Sequence, residues 1–318
     1  MTEPRPDLAL FAGIGFAEAL RGHGRTEIGL ELSETACRTR AAAGHATVRC
    51  DVAQYPVEPF AGRVAGFTAG PPCPPFSKAG LKAGIGDMHY IAVTIRDLAG
   101  GTDTRPWLNE MCTDPRSPLT AEPMRWLAAL RPEWVVLEQV PAVLPLWELY
   151  ADVLAGWGYS VATGVVDAAS YGAPQHRKRA ALVASRLHPV RLPAPTHGPG
   201  LAPYVTMHQA LGWGYTGRPA PTVTGGGTAT GGAEPFGNGS RKALHRAADH
   251  GLAVPGPRGW RPSAADCATL QGFRPGIDWQ GNAGARHLAI GNALPVPLAS
   301  ALTAEAAGIT HLTAAAAA

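Results

Sequence analysis

Short apolar runs alternating with amphipathic stretches through the first 185 residues constrain this chain more than any other feature. Residues 8–12 read as a buried strand, and the turn Gly13-Ile14-Gly15 leads into a helix over about 16–21. Residues 27–32 read as a second strand. Ser33 stands where it can cap the next helix, with Glu34 in the first turn, where an acid meets unpaired amides. Further strands are expected at 64–69, 134–140, 159–166 and 180–184, with helices near 121–130 and 145–157. Strands that alternate with helices build an α/β fold with a mostly parallel sheet and helices on both faces. Such sheets receive ligands at the carboxyl ends of their strands.

The alternation stops after residue 185. Residues 186–258 hold 14 Gly and 10 Pro, and their seven basic and two acidic side chains give a charge of +5. Residues 1–185 carry −2, with 17 basic and 19 acidic side chains, and 259–318 are balanced, so the total of +3 conceals an uneven distribution. A basic, loop-rich segment set into an acidic α/β body is a domain boundary by composition, and its charge suits a polyanion. Residues 263–270 (SAADCATL) read as a helix capped by Ser263, with Asp266 completing a capping-box-like start. A last helix is expected over 294–307.

Several classes are excluded. No run of about 18 apolar residues offers a membrane span. The five cysteines (37, 50, 73, 112 and 267) form no CxxC pair, which argues against a zinc ribbon or a thioredoxin-type site, and their odd number, with a start MTEPRPDLAL that lacks an apolar signal core, points to the reducing cytoplasm. Eleven histidines contain no HExxH or comparable spacing, so no metal is expected.

The candidate site gathers at strand ends. Phe11-Ala12-Gly13-Ile14-Gly15 occupies a strand-to-helix turn where glycines admit a ligand to the backbone. Glu31 ends the second strand and Asp51, in Arg49-Cys50-Asp51, ends the third; a carboxylate in the first of these places commonly accepts ribose hydroxyls. The third glycine of a dinucleotide fingerprint is missing, because position 18 is Glu18. The pattern therefore favours a nucleoside ligand without pyrophosphate, such as S-adenosylmethionine. Gly70-Pro-Pro-Cys73-Pro-Pro-Phe-Ser77 follows the fourth strand and presents a cysteine nucleophile on a proline-fixed turn. Glu138 closes the fifth strand, which parallel topology brings to the edge that holds Cys73. A carboxyl group beside a cysteine suits addition to a heterocycle that is protonated as it is attacked. In Gln175-His-Arg177-Lys-Arg179, strand alternation puts the first, third and fifth side chains on one face.

In this order, and together with Asp114-Pro-Arg116, DCATLQGF and GNALPVP, these segments resemble the motifs of the DNA (cytosine-5) methyltransferases from Leu8 to Leu298. The resemblance implies a Rossmann-like catalytic domain over 1–185 and 275–318, and a small target-recognition domain with its hinge over 186–274. It implies Cys73, Glu138, Arg177 and Arg179 as catalytic residues. Phe11, Gly13, Gly15, Glu31, Asp51 and Asn292 would hold S-adenosylmethionine. Ser77, Gln175, Thr222, Thr224, Gly226 and Arg241 would meet double-stranded DNA, with Arg261 joining the lobes. The protein would act as a monomer, modifying a cytosine flipped out of its duplex.

Three departures from the family pattern stand out. Pro74 replaces the usual glutamine, Gln139 the usual asparagine, and 40 residues separate Cys73 from Asp114, more than is common in the family. The added stretch, about 85–113, spaces Ile91, Ile95 and Leu98 as a helix does, and an enlarged mobile lid over the DNA is expected of it. An RNA cytosine-5 methyltransferase and an inactive DNA-binding homologue remain alternatives. A nicotinamide dehydrogenase is disfavoured by the missing glycine and by the cysteine loop.

Overall fold

The computed structural model describes residues 5–73, 75–76, 83–225, 236 and 239–309. Seven strands form its main sheet: β1 (Asp7–Leu10), β2 (Glu27–Glu31), β3 (Ala46–Arg49), β4 (Gly66–Ala69), β5 (Trp134–Gln139), β6 (Ser160–Asp167) and β7 (Lys178–Ser185). Their order is β3-β2-β1-β4-β5-β7-β6, and all pairings are parallel except those of β7 with β5 and β6. The fold is α/β and Rossmann-like with a mostly parallel sheet. The reversal of β7 has a direct consequence for the site. Its first residues lie at the carboxyl edge of β5, where Gln139 pairs with Ala180 and Glu138 with Ala181.

Both faces of the sheet are covered, and the pleat sorts the side chains. Val135 and Leu137 of β5, with Leu182 and Ala184 of β7, enter one core. Helices α3 (Ala83–Ala99), α5 (Glu122–Leu130) and α6 (Leu144–Gly156) pack into it, and among their buried residues are Ile91, Trp126, Trp147 and Tyr150. The alternate residues Trp134, Val136, Ala181 and Val183 face the other way, onto α1 (Gly15–Gly22) and α11 (Val296–Ala307). A register slip of one residue would exchange the two sets, so the pattern fixes the pairing.

Local signals set the helix ends. Ser33 Oγ accepts from Ala36 N at the start of α2 (Glu34–Ala42). Ser263 and Asp266 form a reciprocal capping box at the start of α9 (Ala264–Leu270), with bonds of 2.7 and 3.1 Å. Thr206 and Gln209 build a second such box at α7 (Met207–Leu211), which the sequence reading passed over.

The second lobe consists of α7, the antiparallel pair β8 (Gly214–Tyr215) and β9 (Ala253–Val254), α8 (Ser240–Asp249) and α9. Its core of Met207, Trp213, Tyr215, Phe236, Leu244 and Leu270 continues into Ile277 and into Ile290 of α10 (Ala283–Asn292). Ile14 and Ala43 of the first lobe join the same cluster.

The stretch expected to form a mobile lid is instead part of the body. It folds as α3 followed by α4 (Arg105–Met111); Ile91 and Ile95 are fully buried, and Leu98 nearly so, in the core beside α5 and α6. Buried Asp87 accepts the amides of Thr113 and Asp114, closing the excursion at its far end. The apolar spacing does form a helix, but such spacing serves a buried helix as well as a lid.

Candidate active site

A cavity of about 540 Å³ opens at the carboxyl ends of β1, β2, β4 and β5. Phe11, Gly13, Glu31, Asp51 and Asn292 line one part of it, and Cys73, Glu138, Arg177 and Arg179 line another. The side chains expected to do chemistry and most of those expected to hold a cofactor therefore share one enclosure.

The turn after β1 explains its own sequence. Phe11 has a left-handed φ of 53°, a conformation that costs a side-chain-bearing residue about 1–2 kcal/mol. Behind it, Arg40 of α2 is buried, paired with Glu27 at 2.8 Å, and donates to the Gly13 carbonyl at 2.7 Å. Gly13 faces open space and can receive a ligand on its backbone. Gly15 does not line the cavity; a Cβ there would stand 2.3 Å from the Leu294 carbonyl oxygen, so this glycine admits the chain that enters α11.

Two carboxylates face the same space. Glu31 accepts the Ser33 amide at 2.7 Å, and burial pushes its pKa up. Asp51 accepts from Ala53 N at 3.0 Å and from Gln54 Nε2 at 3.1 Å. The wall also contains Trp279 and Leu288, from the segment that returns from the second lobe. Neither was anticipated, because nothing in the local sequence reveals that this loop folds against α2. Gln280 N donates to Thr39 Oγ1 there at 3.1 Å.

At the reactive end, Arg179 Nε lies 2.6 Å from Glu138 Oε1, with both side chains nearly buried. Burial pushes the Cys73 thiol above its ordinary range, the Arg179 and Arg177 charges pull it back, and Glu138 raises it. Gln139, in place of the family's asparagine, still braces the cysteine loop. Its Nε2 donates to the Pro71 carbonyl at 2.6 Å, and its Oε1 accepts the Val140 amide.

Arg177 and Gln175 point inward to the junction of the two lobes. Arg177 donates to Val223 O at 2.7 Å and to Gly291 O at 2.8 Å. Burial first, then the charge of Arg179, pulls its pKa down to about 9. Gln175, expected at the DNA, is fully buried. It donates to Leu270 O and Gln271 Oε1 and accepts Val223 N, which makes it a hinge residue with no surface to offer a duplex. Strand alternation also failed here, because β7 begins only at Lys178.

Thr222 donates to His176 O at 2.6 Å. Thr224 packs on Gly291, where a Cβ would come within 2.3 Å of the loop backbone. Arg241 lies on α8, half-buried. Ser77, Gly226 and Pro74 lie outside the described residues. Among the described residues no cluster of three or more His, Cys, Asp or Glu side chains could hold a metal, and no helix is long and apolar enough to cross a membrane.

Comparisons with known proteins agree with this geometry. A family model described as C-5 cytosine-specific DNA methylase matches residues 7–94 and 108–196. The Type II methyltransferase M.NaeI of Lentzea aerocolonigenes is 29% identical over 270 residues, covering 74% of this chain and 57% of that protein. The chain thus spans little more than half the length of that relative. Among solved structures, the S. pombe Dnmt2 methyltransferase superposes with a TM-score of 0.62 at 14% identity, covering 95% of this chain and 97% of that one. A Spodoptera frugiperda DNMT2 variant gives a TM-score of 0.63 at 13% identity, with coverage of 94% and 98%. At these identities the two structures speak for the fold, while the match to the family model covers more than half of the sequence: the chain belongs to the C-5 cytosine-specific DNA methylase family.

Proposed function

We propose that this protein methylates carbon 5 of cytosine in double-stranded DNA, with S-adenosylmethionine as methyl donor. The observation that carries this reading is the convergence of Cys73, Glu138 and Arg179 on a cavity that also contains Glu31 and Asp51. The cavity volume falls within the range of about 300–1,000 Å³ usual for small-ligand sites. Its donor set suits the cofactor. The Glu31 carboxylate can accept a pair of ribose hydroxyls, Asp51 an amine, and the exposed backbone at Gly13 leaves room for an amino-acid end. The cofactor, when bound, supplies an electrophilic methyl group on a sulfonium centre.

The chain's own residues supply the remainder. Carbon 5 of cytosine is a weak nucleophile while the ring is aromatic. Attack of the Cys73 sulfur on carbon 6 forms a C–S bond and moves the ring electrons onto carbon 5 and ring nitrogen 3. Glu138 donates a proton or hydrogen bond at nitrogen 3 and steadies the exocyclic amine, lowering the energy of the adduct. Arg179, already beside Glu138, turns to the base carbonyl and fixes the ring. Once carbon 5 has taken the methyl group, loss of its proton to water regenerates the double bond and expels the Cys73 thiolate.

The Cys73 thiol rests protonated, because burial outweighs the pull of the two arginines. Attack therefore requires the thiol proton to leave as the base arrives; the Glu138 carboxylate, released from Arg179, takes it up directly or through water and is then the acid that serves nitrogen 3. A target within a duplex must first be flipped out, at a cost of a few kcal/mol. The basic segment 186–258 supports DNA as the polyanion, as do the description of the matching family and the name of the M.NaeI relative. Tritiated S-adenosylmethionine offered with duplex DNA, single-stranded DNA and tRNA tests the substrate. Label in duplex DNA is the expected result, and label confined to tRNA would replace the substrate assignment.

A further inference from the structure

The stretch that lengthens the path from Cys73 to Asp114 carries a device that the proposed chemistry does not use. Arg105 opens α4, and its guanidinium turns inward, towards the loop after β3. Nη1 donates to the Ala53 carbonyl at 2.7 Å and to Glu122 Oε1 at 2.9 Å. Asp103 grips the outer side of the same group, at 2.8 Å from Nε and 2.6 Å from Nη2. Glu122 is 4% exposed and also accepts Arg125 Nε at 2.9 Å. Arg125 Nη2 in turn donates to the carbonyls of Val52 at 2.6 Å and Tyr55 at 3.3 Å.

Two arginines clamped on one buried carboxylate thus hold three carbonyls of the loop that begins at Asp51. Ala53 is the central link. Its amide bonds the Asp51 carboxylate at 3.0 Å, while its carbonyl receives Arg105. Buried backbone groups require partners, and charged donors make the stronger bonds. Any rotation of the Asp51 turn would break one of them.

We infer that Arg105 and Arg125, locked on Glu122, are positioning residues that set the Asp51 carboxylate in the cavity, and that the added α4 segment is a buttress for this wall of the cofactor site. The inference rests on the proposed use of that cavity for S-adenosylmethionine. It assigns the extra chain a role in cofactor affinity and none in covering DNA.

Equilibrium binding of S-adenosylhomocysteine, which needs no turnover, tests it in the full-length protein. Arg105→Ala should weaken binding about tenfold, as expected for loss of a charged hydrogen bond. The KM for S-adenosylmethionine should rise in parallel, with kcat within about twofold of wild type. A double-mutant cycle separates positioning from general damage. If Arg105 acts through Asp51, adding Arg105→Ala to Asp51→Asn should change affinity by less than about twofold. Arg105→Met, which keeps the side-chain stem, takes the place of Arg105→Ala if the alanine variant does not fold, with the same expectations. Unchanged affinity in the single variant, or full additivity in the cycle, would overturn the inference. Wild-type protein that binds no S-adenosylhomocysteine would overturn the cofactor reading itself, and the inference with it.

Discussion

Arg179 Nε and Glu138 Oε1 stand 2.6 Å apart at the edge where antiparallel β7 meets the end of β5. The pair exists because one strand of an otherwise parallel sheet is reversed, which brings the start of β7 to the carboxyl end of β5. In the proposed reaction Glu138 supplies a proton or hydrogen bond to the base and Arg179 holds its carbonyl, so the ion pair keeps both groups in place until the base enters.

Glu138→Gln keeps the shape of this site and removes the acid. General acid–base groups contribute about 10²–10⁴-fold, so kcat should fall by at least about 100-fold while S-adenosylhomocysteine affinity stays within about twofold. Rapid-quench turnover alongside equilibrium binding checks both. A variant with near-wild-type kcat would remove Glu138 from the mechanism.

Cys73 should respond to its neighbours in a defined direction. Burial raises its pKa, while Arg179 and Arg177 lower it. Alkylation by iodoacetamide should therefore accelerate as pH rises through and above the ordinary thiol range. Arg179→Ala should move that profile to still higher pH and slow alkylation at pH 8 several-fold. Peptide mapping of Cys73 between pH 7 and 10 measures it, and an unshifted profile would contradict the assigned influence.

Gln139 should prove necessary at its full length. The bond from Nε2 to Pro71 O holds the start of the cysteine loop, and an asparagine in this backbone would stop about one methylene short. Gln139→Ala should lower kcat about tenfold, a cost consistent with one buried carbonyl left unpaired. Gln139→Asn should fall between the two. If Gln139→Ala turns over like wild type, the loop is braced by something else.

His45 ties stability to pH. It bonds Glu18 at 2.7 Å, and burial lowers its pKa below the ordinary 6.5. The folded state therefore binds a proton less readily than the unfolded chain. The stability contribution is complete above about pH 6.5 and is lost as pH falls towards the depressed folded value. Between pH 7.5 and 5.5, urea unfolding should shift towards lower stability by less in His45→Gln than in wild type, because buried acids such as Glu31, whose raised pKa acts in the opposite direction, are common to both. His287, also lowered by burial, adds to the same trend and leaves a remainder in that variant.

Sequence reading succeeded where the signal is local. Ser33 and the Ser263–Asp266 box cap their helices because the partners lie three residues away. Glu138 and Cys73 share an edge because parallel β4 and β5 dictate it. It failed where partners come from distant chain. Nothing local in the sequence marks Arg40, which is buried with Glu27 and holds Gly13. Gln175 has the composition of a DNA contact, but its amide is satisfied by Leu270, Gln271 and Val223, which arrive from 48 to 96 residues away. Ile91 and Ile95 show that periodicity identifies a helix without revealing what covers it.

The most direct test combines labelled S-adenosylmethionine and duplex DNA with wild-type protein and Cys73→Ala, followed by digestion to nucleosides and chromatography. The account predicts 5-methyldeoxycytidine from wild type and no labelled nucleoside from Cys73→Ala. Label on the exocyclic nitrogen of cytosine, or 5-methyldeoxycytidine formed by Cys73→Ala, would contradict it.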